Sequence, residues 1–203
     1  MEFDLIIDSH SHWGPSLTMG TEVASDELQR QLKRSGISYV VLIPFPSTAI
    51  ANNDINVKLL EETKRIKSFL PYHYIRENYN VDGFDPIPDE YYGGKWHWMR
   101  GWQDSASNYQ VLDDPELPGL IEKLRRLNKP IVFEEDFDFT VKFVDMAEGV
   151  TLIIPHLGLL FAVAVAVQVG LLHGDADGRR NGVFRRLHDG VGQGFRELLR
   201  VGH

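Results

Sequence analysis

Two histidines stand two residues apart, His10 and His12, in the run Asp8-Ser-His-Ser-His12. The apolar stretch Leu5–Ile7 leads straight into them, which predicts a first β-strand ending in this motif. Side chains on a strand alternate faces, so both imidazoles point the same way and can chelate one ion. Imidazole suits zinc and related divalent ions. Asp8 shares their parity one layer deeper, where it would orient a histidine or support the strand. The chain has no cysteine, so histidine and carboxylate are its strong metal ligands. A carboxylate in Ile131-Val-Phe-Glu-Glu-Asp136 would complete the shell, and register decides which of Glu134 and Glu135 faces inward. His156 follows the apolar run Thr151–Pro155, a strand-end position that favours an active-site mouth over a core role. Arg76 and Arg100 suit a substrate carboxylate, or equally a solvated strand end. Trp96, Trp98, Trp102, Tyr72 and Tyr74 would line an apolar pocket or simply pack.

The elements that must position these groups repeat in a strand–helix rhythm. A helix capped by Ser25 or Asp26 presents Leu28 and Leu32 and stops at Gly36. Tyr39–Phe45 is a nearly continuous apolar strand of the kind covered on both faces. Ile55–Ile66 is a helix by its spacing, and Ser68–Ile75 a third strand. Residues 80–95 hold Gly, Pro and Asp clusters and are expected to be a loop or lid. His97–Gln103 is then the fourth strand. Pro115 opens a helix through Leu127, Ile131–Glu135 is the fifth strand, Phe139–Ala147 a helix, and Thr151–Pro155 the sixth strand. Alternation of this kind implies a parallel sheet. An open doubly wound sheet that binds a nucleotide would carry a glycine-rich turn after its first strand. Histidines stand there instead, so a TIM-type (β/α)8 barrel is expected, incomplete at about six β/α units, with its chemistry at the strands' C-terminal ends.

Composition sets the outer bounds. At 203 residues and 43% hydrophobic, the chain suits one well-buried domain. Its formal charge of −8 argues against nucleic acid and anionic membrane as partners. The first ten residues, MEFDLIIDSH, are acidic and strand-like rather than a signal peptide, so a cytoplasmic protein is expected. A small-molecule substrate is the expected partner, and a homodimer is compatible with the sequence. Two segments are expected, 1–158 as the barrel portion and 159–203 as an atypical Gly/Arg/Val-rich tail. The tail has no Lys, Ile, Ser, Thr, Tyr or Pro, yet holds eight of the 18 glycines. Its apolar run Leu159–Leu172 is too short to span a bilayer. Such a composition is what translation out of frame from a GC-rich gene would give, starting just after Gly158. A native helical extension is the alternative.

Asp8-Ser-His10-Ser-His12, Ile131-Val-Phe-Glu134 and Ile154-Pro-His156-Leu-Gly158 together resemble the amidohydrolase-related family of metal-dependent hydrolases and decarboxylases. The resemblance covers 1–158. It implies a (β/α)8 barrel with one divalent metal ion, usually zinc, and His10 and His12 as ligands. The family usually has a histidine at the end of strand five. This chain departs from that pattern with Glu134 there, and a carboxylate is chemically acceptable as the third ligand. His156 matches the strand-six histidine that helps activate water or handle protons. The family's strand-eight aspartate has no counterpart motif, and Asp175 and Asp189 match nothing. The implied reaction is metal activation of water for attack on an amide, ester or lactone carbonyl. Two alternatives remain: non-oxidative decarboxylation of an unsaturated or aromatic acid, and a metal-binding fragment without activity.

Overall fold

The computed structural model describes residues 5–79, 85–99 and 106–156. Arg100, Trp102, Gly158 and the tail 159–203 lie outside the described residues, as does any test of the tail's origin. Strand β1 (Ile7–Ser16) is followed by β2 (Thr21–Val23), α1 (Ser25–Arg34), β3 (Tyr39–Pro44), α2 (Pro46–Ala51), α3 (Asp54–Arg65) and β4 (Phe69–Tyr74). Next come β5 (Gly93–Trp96), a 3₁₀ turn (Tyr109–Asp113), α4 (Leu117–Leu127), β6 (Ile131–Phe133), α5 (Phe137–Met146) and β7 (Leu152–Ile153). The sheet order is β2-β1-β3-β4-β5-β6-β7, with every neighbouring pair parallel except the β1–β2 hairpin. Six parallel strands in sequence order are an incomplete barrel: among the described residues the sheet does not close.

The pleat divides the sheet's side chains between two environments. Val40, Leu42, Phe69, Trp96, Ile131 and Phe133 pack outward against helix residues such as Leu28, Leu59, Leu124 and Phe143. Val41, Ile43, Tyr72 and Val132 form a smaller cluster on the other, inner face. The helices form for ordinary reasons. Helix α1 has Asp26 and Glu27 in its first turn and Lys33 and Arg34 in its last, complementing the helix dipole. Asp136 caps α5, accepting a hydrogen bond from the Phe139 amide at 2.9 Å. Helix α1 lacks the side-chain cap expected from Ser25 or Asp26: Ala24 occupies that position. Ser25 Oγ instead accepts from Trp13 Nε1 at 2.8 Å, pinning the helix start to β1. Among the described residues no helix is long and apolar enough to cross a membrane.

The largest departure from the sequence reading is the fourth parallel strand. It is Gly93–Trp96, which begins inside the segment expected to be a loop; of the expected His97–Gln103, residues 97–99 carry no strand and 100–103 lie outside the described residues. Two glycines explain the misreading, because glycine weakens a strand pattern unless a close approach requires it. A Cβ on Gly93 would run into the Pro130 carbonyl and the Tyr72 ring. One on Gly94 would meet Ile75 Cδ1 at 2.8 Å and Ile87 Cδ1 at 2.9 Å. The short elements α2 and β2 were also unanticipated.

Candidate metal centre

His10 and His12 lie on one strand with their ring centroids 5.0 Å apart, edge to face. A bulge between Asp8 and Ser11 interrupts the pairing of β1 with β3. The Asp8 carboxylate shapes it, accepting from the His10 amide at 3.0 Å and from Ser11 Oγ at 2.8 Å. Bulges re-aim side chains beside functional sites, and this one sits directly beneath the histidine pair. Asp8 therefore acts on the His10 backbone, not on its ring. The His12 ring stacks on Phe45 at 4.8 Å, which fixes its plane.

Register on β6 decides between the two glutamates. Its side chains alternate Ile131 outward, Val132 inward and Phe133 outward. Glu134 then falls on the inner face, where its Oε2 lies 3.5 Å from His10 Nε2. Glu135 belongs to a different network, accepting from the Trp98 amide at 2.7 Å and from Ser107 Oγ at 2.6 Å. One ligand atom from each of His10, His12 and Glu134 lies within 4.8 Å of the others, and the three could hold one metal ion. His156, at the end of β7, comes within reach as well. Its Nε2 is 3.8 Å from Glu134 Oε1 and its ring 5.2 Å from that of His10. It is half exposed and holds a left-handed backbone, φ 55°, uncommon outside glycine.

Two residues of this cluster were not foreseen as part of it. Lys95, on β5, is fully buried, and its ammonium donates to Glu134 Oε2. The same Nζ stands 3.3 Å from His10 Nε2. His97 Nδ1 lies 3.5 Å from Glu134 Oε2. Correct placement of the fourth strand was the missing signal. Once Gly93 starts it, Lys95 and His97 share the inward parity of the site.

The electrostatics favour imidazoles ready to ligate. Burial, then the Lys95 charge, lowers His10 to about 3. The same two causes in the same order lower His12 to about 4. Both rings are therefore neutral near pH 7, the form a metal ion requires. Burial pushes Glu134 upward, but the nearby His97 ring and the Lys95 charge outweigh it and hold the carboxyl below its usual range. His12 Nδ1 is buried without a hydrogen-bond partner of ordinary geometry. A buried ring nitrogen left in this state is what an added ligand-acceptor would satisfy, so the donor set fits a divalent ion.

Arg76 does not join the cluster. It lines a separate cavity of about 240 Å³ with Ile50, Tyr74, Glu77 and Asn78 beyond the end of β4. Arg100 lies outside the described residues. Of the aromatic residues considered for a pocket, Trp96 and Trp98 are core: they stack on each other at 3.8 Å, and Trp96 also packs against Phe133 and Phe143.

No family model matches the chain, and no curated protein matches it. Solved structures do. An amidohydrolase from Burkholderia multivorans with bound zinc aligns at a TM-score of 0.57 and 15% identity, over 80% of this chain and 62% of that one. A 2,6-dihydroxybenzoate decarboxylase from Rhizobium aligns at 0.47 and 12% identity, over 70% of this chain and 54% of that one. The chain thus spans between half and two thirds of the length of these proteins. The first likeness supports the fold expected from the sequence, a TIM-type β/α barrel that is not closed among the described residues.

Proposed function

We propose that His10, His12 and Glu134 hold one divalent ion, zinc for preference, and that the centre hydrolyses an amide, ester or lactone carbonyl of a small molecule. The observation that carries this reading is the convergence of three ligand atoms within 4.8 Å. They sit at the C-terminal ends of parallel strands, where barrels of this type place their chemistry. Zinc is preferred because two imidazoles and a carboxylate form a common zinc donor set, and the amidohydrolase of the same fold carries that ion. A bound ion would polarise the substrate carbonyl and lower the pKa of its water to about 7.

The chain's own residues do the rest. His10 and His12 are held neutral and on one face, so neither must lose a proton to ligate. His156, half exposed beside Glu134, would carry a proton between the site and solvent.

The test is turnover by the full chain loaded with one equivalent of zinc. It is offered a panel of lactones, esters and amides, and separately aromatic acids followed for release of carbon dioxide. Hydrolysis that disappears on His10→Ala supports the proposal. Carbon dioxide release without hydrolysis would assign the centre to decarboxylation instead. Zinc uptake with neither reaction would make the chain a metal-binding protein without activity.

A further inference from the structure

Glu134 Oε2 is crowded. Lys95 Nζ donates to it, His10 Nε2 and His97 Nδ1 each stand 3.5 Å away, and Lys95 is itself 3.3 Å from His10 Nε2. The carboxylate oxygen facing the candidate ligand His10 is therefore already held by a cation of the chain's own. That cation is locked in place: Lys95 is fully buried, paired in register with Tyr74 on β4 and Val132 on β6. A lysine so enclosed cannot swing its ammonium into water. Glu134 is the anion it pairs with, and a divalent ion would need the same carboxylate.

We infer that Lys95 is an internal counter-cation that competes with the metal ion for Glu134 and so sets how tightly the centre binds. The inference rests on the metal-centre reading proposed above. Like charges a few ångströms apart in a partly buried site repel strongly. The lysine keeps the unloaded site neutralised and folded, and in doing so lowers its affinity for the ion. Replacing it by an uncharged side chain of similar length reverses both effects.

The experiment is chelator competition for zinc, with thermal melting of the same samples, on the full chain. Wild type, Lys95→Met, Lys95→Gln and the His10→Ala/His12→Ala double variant are compared. Lys95→Met and Lys95→Gln are expected to bind zinc at least about tenfold tighter than wild type. Their melting temperatures should fall without zinc and recover with it. Lys95→Gln keeps a hydrogen-bond donor toward Glu134, so it carries the test if Lys95→Met does not fold. Zinc affinity in both lysine variants equal to or weaker than wild type overturns the inference. If wild type meanwhile binds one equivalent that the double-histidine variant loses, the metal centre itself still stands. Zinc uptake by wild type no greater than by the double-histidine variant removes the centre, and the competition with it.

Discussion

The candidate centre draws its residues from two regions of unlike burial. Lys95, His97 and Glu134 come from β5, β6 and their ends in the middle of the sheet, where Trp96, Ile131, Val132 and Phe133 are completely buried. His10, His12 and His156 come from the flanks. Ile7 at the start of β1 is 49% exposed and Ile154 beside β7 is 39% exposed. The buried middle fixes the charged pair of the site, while the open flanks supply most of its imidazoles. Substitutions in the middle should therefore cost more stability, and substitutions at the flanks should empty the site while leaving the fold in place.

The largest expected effect is in the middle. Trp96→Ala would leave a void between Trp98, Phe133 and Phe143 and should lower stability by about 3–5 kcal/mol in denaturant titration. A loss below about 1 kcal/mol would mean that the outer core is far looser than its packing indicates. Next comes Glu134→Gln, which strands the fully buried Lys95 ammonium and should remove about 3 kcal/mol. Combining it with Lys95→Met removes both charges and should return part of that loss. Additive losses in the double variant would show that the pair is not coupled.

Smaller effects belong to the flanks. His10→Ala with His12→Ala removes two largely buried rings, one of them stacked on Phe45, and should lower stability by roughly 1–2 kcal/mol. Ile7→Ser, at the exposed start of β1, should change it by no more than about 0.5 kcal/mol. A flank variant as damaging as Trp96→Ala would erase the distinction between the two regions.

The same division governs how much could be read from the sequence. The pair His10 and His12 was legible because a period of two is a property of any strand, and an apolar run announced this one. The barrel rhythm was legible for the same kind of reason, each strand from β3 to β7 except β5 being an apolar run near its observed place. Strand β5 was not, because Gly93 and Gly94 are demanded by the close approach of Pro130, Tyr72, Ile75 and Ile87. Only the packed structure reveals that demand. Missing it hid the parity of Lys95 and His97, and with them the charge that faces the histidines. The choice between Glu134 and Glu135 was likewise a matter of one residue of register, which pairing with β5 and β7 settles. Asp8 was expected to orient a histidine or support the strand; its carboxylate accepts from the His10 amide at a bulge, a device that spacing alone does not display.

The most direct test of the account is X-ray absorption spectroscopy at the zinc edge on the full chain loaded with one equivalent of zinc. The expected coordination is two imidazoles and one carboxylate oxygen at about 2.0–2.2 Å, abolished in the His10→Ala/His12→Ala variant. A shell without imidazole scattering, or one unchanged in the double variant, would contradict it.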